Sequence, residues 1–145
     1  MNYWIFTFRP EMFKTVVTHG VLGVNHQHER RFFELTQGDR FVAYLSQKQL
    51  LAGHGELVSE PFVDDSDLFG RDVQYPYRCQ VRVDTSRTPT SARDLLWGLS
   101  EFDGREMKTL PANYLFLKGG FLRISERDYR WLLDVLEGRS SVARA

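Results

Sequence analysis

Hydrophobic and polar residues repeat along this chain with two different periods, and each period predicts a different element. Tyr3–Phe8 is aromatic and β-branched with almost no polar residue, which predicts a strand covered on both faces. Over residues 10–19 apolar positions recur every three or four residues between Pro10 and Gly20, which predicts a helix. Over residues 77–84 apolar and polar positions alternate one by one, so we expect a strand with one buried and one exposed face.

The middle of the chain predicts a curved hairpin between less regular segments. Arg40–Ser46 and Leu50–Val58 flank a polar tip, and two glycines in the second arm indicate a bulge or a close backbone approach. The segment 21–28 carries no clear period and is predicted to be irregular. The segment 90–97 predicts a short helical turn.

The end of the chain predicts a second hairpin and the clearest helix. Tyr114–Leu117 and Phe121–Ile124 flank a Lys-Gly-Gly turn, which favours a hairpin. Ser125 opens a capping box, one apolar face follows, and Gly138 ends the helix. Several short strands, curved by glycines and interrupted by few helices, predict an α+β domain around a small open barrel.

Length and composition limit the possible classes of protein. The 145 residues, 42% of them hydrophobic and 26% charged, fit one globular domain, predicted over 1–138 with a frayed tail over 139–145. This composition excludes disordered, collagenous and membrane-spanning classes. The N-terminus shows no signal-peptide pattern, so we expect a cytoplasmic protein.

The charge balance limits how the protein can attract an anionic partner. Nineteen basic and nineteen acidic residues give no net charge, so any nucleic acid must meet a local patch instead of a general positive field. Fifteen of the nineteen basic residues are arginines. Arginine suits bidentate phosphate contacts and stacking on planar groups, although a GC-rich genome would produce the same excess.

Six short motifs follow one another along nearly the whole chain. They are YWIF at 3–6, HGVLGV at 19–24, GDRFVAYL at 38–45, GELVSEPFVDDS at 55–66, YPYR at 75–78 and ISERDYRWLL at 124–133. Together they resemble the EVE domain, a family of the PUA-like superfamily. The resemblance implies a PUA-like curved β pseudo-barrel of five or six strands with flanking helices, in agreement with the α+β class that the residue pattern predicts.

The resemblance also implies a function. EVE domains are related to YTH domains, which hold methylated adenine of RNA in a pocket. The implied protein is a non-enzymatic module that takes a modified nucleobase, flipped out of DNA or RNA, into an aromatic-apolar pocket. No cofactor and no membrane are expected, and its protein partners are unknown. The alternative is a module that binds a small molecule, such as a free nucleobase, a nucleoside or another metabolite.

The resemblance assigns the walls of this pocket to two segments. Leu22 stands where EVE and YTH domains usually carry a tryptophan, so one aromatic wall is replaced by an aliphatic side chain. Phe69 and Tyr75 lie in the loop that supplies the remaining walls in YTH domains. The complete set of predicted base-binding residues is Leu22, Gly23, Asn25, Phe69, Tyr75, Tyr77, Trp4 and Ser46.

Each predicted residue also has a purely structural interpretation. Trp4 and Tyr77 suit a buried core, Asn25 suits a turn, and Phe69 or Tyr75 can simply anchor a loop. Phosphate contacts are predicted for Arg30, Arg31, Arg78 and Arg82, with the last two on the exposed face of their strand. A solvated charged face is the alternative for these four arginines.

Enzymatic chemistry finds little support in the sequence. His26 and His28 lie two residues apart and can meet on one metal ion, which leaves a metal-assisted hydrolase as a further hypothesis, but no third ligand accompanies them. Cys79 falls on the apolar side of its strand, where a free cysteine acts as a small hydrophobic residue. The three aspartates within 64–67 lack the glycine and distal glutamate of a calcium loop and are interpreted as a solubilising turn.

Overall fold

The computed structural model describes residues 1–24, 29–69, 75–91, 99 and 120–139. In these ranges the apolar periods form seven strands and three helices. In chain order they are β1 (Tyr3–Phe8), α1 (Pro10–His19), β2 (Val21–Val24), α2 (Glu29–Phe32), β3 (Arg40–Leu45), β4 (Leu50–Leu57), β5 (Phe62–Val63), β6 (Tyr77–Ser91), β7 (Phe121–Ile124) and α3 (Glu126–Leu136).

The strands form one curled mixed sheet in the order β2-β6-β4-β3-β1-β7, and the short β5 also pairs with β6. β1 is parallel to β3, and the other pairings of the described strands are antiparallel. The sheet makes a half-barrel with few flanking helices, which confirms the predicted α+β class. The described residues contain seven strands instead of five or six because β2 and the two-residue β5 have too little local pattern to be predicted.

The curl of the sheet depends on β6 and on two glycines of β4. The first residues of β6 pair with β2 and β5, while its remainder pairs with β4. A Cβ on Gly53 would lie 2.5 Å from the carbonyl oxygen of Asp84, and one on Gly55 would lie 2.4 Å from that of Arg82. The predicted close backbone approach is therefore confirmed, and a register shift between Leu51 and Gly53 adds the bulge.

Apolar side chains cover both faces of the sheet, as the pattern of β1 predicts. Alternate residues of β1 serve two clusters, with Trp4 and Phe6 on one face and Ile5 on the other. The inner core, which also receives α1 and α2, includes Trp4, Phe6, Phe8, Phe13, Leu22, Phe32, Phe41, Tyr77 and Cys79. The outer core, under α3, includes Ile5, Val42, Tyr44, Leu51, Leu122, Tyr129 and Leu132.

A buried carboxylate joins the start of β1 to the turn before β3. Asp39 is 0% exposed. Its Oδ1 accepts hydrogen bonds from the backbone N–H of Asn2 at 2.8 Å and the hydroxyl of Thr36 at 3.0 Å. Its Oδ2 accepts from Nε1 of Trp4 at 3.0 Å and the N–H of Thr36 at 3.1 Å. These four donors satisfy a charge that would otherwise be costly to bury.

Two predicted helices and one predicted hairpin are confirmed, and each has a strong local signal in the sequence. α1 ends at Gly20, whose φ of 67° is left-handed and whose N–H reaches the carbonyl of Val16. The hydroxyl of Ser125 accepts from the N–H of Asp128 at 3.1 Å and caps α3. β3 and β4 form the predicted hairpin. None of the described helices is long and apolar enough to cross a bilayer.

Three predicted segments differ from the structure or extend beyond the described residues. The segment 21–24 was predicted to be irregular, but it forms β2 because β6 supplies its hydrogen-bond partners. Thr90 and Ser91 belong to β6 and not to a helical turn, since pairing with β4 overrides a weak helical signal. Residues 92–98 and the arm 114–117 of the second predicted hairpin lie outside the described residues, while its other arm is β7.

Candidate functional site

Two short strands, β2 and β5, flank the start of β6 and build the candidate site with it. The last residue of β2, the first residue of β6 and the last residue of β5 form a terminal row of Val24, Tyr77 and Val63. The next row consists of Gly23, Arg78 and Phe62. Because successive residues of a strand point to opposite faces, these two rows present their side chains on opposite sides of the sheet.

Arg78 is the centre of this region. It was predicted on the exposed face of β6, and that placement is wrong, because the residue is only 2% exposed. Its Nε donates to the carbonyl of Tyr75 at 3.1 Å, one terminal nitrogen donates to the hydroxyl of Ser66 at 2.7 Å, and the other donates to the carbonyl of Ser66. Asp64 lies 3.4 Å away and balances the charge. Residues 64–69 and Tyr75 thus cover Arg78.

Phe69 and Tyr75, hereafter the aromatic pair, lie beside this guanidinium. Their ring centroids are 5.6 Å apart and their planes are inclined at 86°. The Cζ of Arg78 lies 5.2 Å from the centroid of Phe69, within the range of a cation–π contact. Both aromatic residues are half-buried, so each is held by the protein and still offers surface to a ligand.

Gly23 makes room for Phe69. A Cβ at this position would lie 2.4 Å from Cε2 of the Phe69 ring, so a larger residue would displace the ring. Gly23, the second glycine of HGVLGV, and Phe69, which follows the acidic turn, therefore depend on each other for this contact. Of the predicted base-binding residues, the structure brings Gly23, Phe69 and Tyr75 together.

Leu22 is a buried residue of β2. It is 2% exposed, belongs to the inner core and lies opposite Cys79 in the β2–β6 pairing. Phe69 packs against the inner core to which Leu22 belongs. In the described residues the wall segment therefore contributes Gly23 to the contact with Phe69, while Leu22 fills the core.

Trp4 and Tyr77 also belong to the inner core, as their structural interpretation predicts. Trp4 is 1% exposed, and its indole N–H is used by Asp39. Tyr77 contacts Phe33 with ring centroids 5.6 Å apart and is one of the most exposed members of that core. Tyr77 thus borders the candidate site from the core side of the sheet.

Two predicted base-binding residues do not join this group. Ser46 follows β3 and hydrogen-bonds through its N–H to the carbonyl of Phe8. Since Leu45 pairs with Leu50 and Leu50 pairs with Ser91, Ser46 lies near the far end of β6 from Tyr77. Asn25 lies outside the described residues, as do His26 and His28.

The remaining predicted phosphate contacts differ in availability. Arg82 is exposed as predicted, but it forms a 2.6 Å ion pair with Glu56. Arg30 is exposed and Arg31 is half-buried, and neither forms an ion pair with another described residue. The Nε of Arg31 is buried and has no hydrogen-bond partner in the part of the chain that the structure describes.

Cys79 is placed as a core residue. Its thiol is fully buried and lies 3.2 Å from the carbonyl of Ser59. Burial raises the pKa of this thiol, which disfavours the nucleophilic thiolate. Asp64 accepts a hydrogen bond from the N–H of Ser66 at 3.0 Å and shapes the acidic turn.

Two residues of this region were not predicted as site residues. Ser66 binds Arg78 through its hydroxyl and its carbonyl, but a serine after two aspartates looks like any solvated turn. Phe33 is 50% exposed beside the terminal row. The polar and aromatic mixture of HERRFFEL was the available signal for it.

Comparison with known proteins agrees with this architecture. The EVE domain family matches residues 2–134. No curated protein matches the chain.

Several solved structures share the fold at low identity. The crystal structure of the YTH domain of Zygosaccharomyces rouxii MRB1 in complex with N6-methyladenosine RNA has a TM-score of 0.70 at 17% identity, covering 97% of this chain and 89% of that chain. The Pho92 YTH domain in complex with m6A has a TM-score of 0.71 at 14% identity, covering 97% and 87%. The NMR structure of Rpa0253 from Rhodopseudomonas palustris has a TM-score of 0.64 at 16% identity, covering 97% and 96%.

Proposed function

The chain belongs to the EVE domain family, and on that premise we propose that it is a non-enzymatic module that takes one modified nucleobase of RNA or DNA against the aromatic pair. The observation that carries this proposal is the partly exposed pair of Phe69 and Tyr75, whose rings contact each other. Arg78 holds the loop from below, and Gly23 leaves the space that the Phe69 ring needs.

The geometry suits recognition of a planar group. An aromatic face stacks on any nucleobase with about 1–3 kcal/mol per base, and a methyl group added to the base enlarges the apolar area that leaves water. Two rings at a steep angle, 86° here, offer a face and an edge to the same ligand. A flipped base can therefore stack on one ring while the other ring closes its side.

Arg78 acts in this proposal as a positioning residue. Its donors are used by Ser66 and Tyr75, and Asp64 balances its charge. It has little capacity left for a phosphate. Its effect on a ligand passes through the position of the aromatic pair.

The structural relatives indicate which base to test first. Two of the YTH domains of similar fold were solved with N6-methyladenosine or with RNA that carries it. We therefore propose methylated adenine as the first candidate ligand, in RNA before DNA. The absence of net charge predicts that contacts to the phosphate backbone add modestly and that selectivity comes from the base.

A binding measurement with matched oligonucleotides tests the proposal. Fluorescence anisotropy compares a nine-nucleotide RNA carrying one central N6-methyladenosine with its unmodified form, and the corresponding DNA pair. We expect the modified strand to bind at least about tenfold more tightly, which corresponds to about 1.4 kcal/mol. Equal and purely salt-dependent affinity for every strand would contradict a reader of this base. 5-Methylcytosine and 5-hydroxymethylcytosine strands extend the same test to other modifications.

Variants of the pair show whether selectivity arises there. Phe69→Ala and Tyr75→Ala should each reduce the preference for the modified strand, because stacking area is lost. Gly23→Ala should do so as well, because the new Cβ displaces the Phe69 ring. Val17→Ala, at an exposed apolar position of α1, is the control and should leave the preference unchanged. Thermal unfolding of each variant verifies that it is folded.

Binding of a small molecule at the same pair is the second candidate. It is favoured by two of the four arginines predicted to contact phosphate, because Arg78 is enclosed and Arg82 is paired with Glu56. Thermal-shift measurements with free nucleobases and nucleosides distinguish the two. A shift with the nucleoside and none with the oligonucleotide would favour the small molecule.

A further inference from the structure

Phe33 is an exposed aromatic side chain that the protein nevertheless holds in place. It is 50% exposed. Its ring lies edge to face against Tyr77, at 5.6 Å and 80°, and against Phe32, at 5.7 Å and 76°. Both partners belong to the inner core. A ring that two core side chains already hold loses less conformational entropy when a ligand covers it.

The residues beside Phe33 favour an anionic partner. Arg30 is exposed three residues earlier, and Arg31 has a buried Nε without a partner among the described residues. Neither arginine forms an ion pair within that part of the chain. Glu34 is also exposed on the same segment, so the positive region is local. An aromatic ring next to unpaired arginines is the combination that binds a single nucleotide through its base and its phosphate.

Phe33 and the aromatic pair are connected through two neighbouring tyrosines. Phe33 contacts Tyr77 and Phe69 contacts Tyr75, and those two tyrosines are two residues apart. Their Cα atoms are thus separated by at most about 7 Å. Phe69 packs against the inner core that includes Tyr77 and Phe32, and Tyr77 begins β6, so both aromatic groups border the start of this strand.

We infer that Phe33 stacks the base of the nucleotide next to the one that is read, while Arg30 and Arg31 contact the intervening phosphate. This inference rests on the proposed function, since it adds a second nucleotide site to the first. The chemical class of its ligand is an unpaired nucleotide of a single strand, with any base. Phe33 therefore contributes affinity, and the aromatic pair contributes selectivity.

The test removes the ring and the neighbouring base separately. Phe33→Ala should weaken binding of the methyladenosine-containing and the plain RNA by the same factor, between about fivefold and a hundredfold. Phe33→Trp should retain wild-type affinity, and Phe33→Leu, which keeps an apolar side chain without the ring, should resemble Phe33→Ala. A strand with an abasic nucleotide beside the modified base, on the 5′ side or on the 3′ side, should bind wild type and Phe33→Ala equally in one of the two cases.

The outcomes separate this inference from the proposed function. Wild-type selectivity with an unchanged affinity of Phe33→Ala would overturn the stacking site and leave the reader intact. Loss of affinity that persists with both abasic strands would also overturn it, because the ring would then act without its base. A stacking effect of Phe33 in a protein without selectivity would overturn the reader alone.

The arginines supply an independent readout. Arg30→Ala should reduce the slope of log affinity against log salt by about one phosphate. Arg127→Ala, an exposed arginine of α3, is the control and should leave the slope unchanged. An unchanged slope for Arg30→Ala would remove that arginine from the phosphate contact. Thermal unfolding of every variant verifies that the fold is retained.

Discussion

Two buried charged side chains have different roles in this molecule: one joins parts of the scaffold, and the other supports the candidate site. Asp39 is enclosed by Asn2, Trp4 and Thr36, and its partners tie the start of β1 to the turn before β3. Among the described residues, the polar partners of Arg78 lie in the connection from β5 to β6, beside a partly exposed aromatic pair. Asp39 therefore fixes the scaffold, whereas Arg78 fixes one loop of the candidate site.

The comparison shows that burial of a charge does not by itself mark a functional site. Asp39 is the more deeply buried of the two, and its aromatic partner Trp4 is itself only 1% exposed. Arg78 is covered by a single loop whose outer side still carries accessible rings. What distinguishes the two clusters is whether the groups that satisfy the charge also present apolar surface to solvent.

The largest effect is expected for Asp39→Ala. It leaves four donors without their acceptor, so the free energy of unfolding should fall by roughly 3–5 kcal/mol. Asp39→Asn should also destabilise, because its NH₂ group would face donors whichever way the amide is turned. Urea unfolding measures both, with Asp84→Ala, an exposed aspartate of β6, as the control. A loss below about 1 kcal/mol for Asp39→Ala would show that Asp39 does not hold the scaffold together.

Arg78→Met should reduce stability less than Asp39→Ala does, but it should also weaken oligonucleotide binding. The apolar part of the side chain is kept, but the loop loses its donors, so unfolding should become easier by about 1–3 kcal/mol and oligonucleotide affinity should fall at least about tenfold. Arg78→Lys should rescue little, because one ammonium group cannot reach Ser66 and Tyr75 together. The control is Arg82→Met, whose exposed ion pair contributes about 0–1 kcal/mol. Equal binding by Arg78→Met and wild type would show that the loop needs no such support.

The smallest effect is expected for Tyr44→Phe in the outer core, where a buried polar group has no partner at all among the described residues. Removal of this hydroxyl at pH 7 should leave stability unchanged or raise it by up to about 1 kcal/mol. Burial raises the pKa of the Tyr44 phenol above its ordinary value. Folding therefore favours the neutral phenol of Tyr44, and this contribution to the stability of the protein is fully present below about pH 10. It is lost as the pH rises through the folded-state pKa.

Urea unfolding between pH 7 and pH 11 checks this prediction. The wild type should lose stability above about pH 10, and Tyr44→Phe should lose less. Some loss should remain, because burial also raises the pKa of Tyr129. Identical pH profiles of wild type and Tyr44→Phe would show that Tyr44 does not contribute.

The candidate site was predictable in part. Gly23, Phe69 and Tyr75 were identified from their resemblance to a family, and the structure brings them together. The exposure of Arg78 was wrong because strand alternation describes only the two faces of a strand, not the loop that later covers one of them. Leu22 was expected as one wall of the pocket, and the structure shows it 2% exposed in the inner core, against which Phe69 packs.

The sequence by itself determined the elements that rest on neighbouring residues: β1, α1, the β3–β4 hairpin, β7 and α3. Their apolar period, caps and turn residues lie within a few positions of one another, so the information is local. Only the tertiary structure decided that β2 and β5 are strands, that Arg78 is buried and that Phe33 is held beside Tyr77. Each of these depends on partners far away in the chain, and hydrogen bonds and burial between distant segments leave no period in either segment.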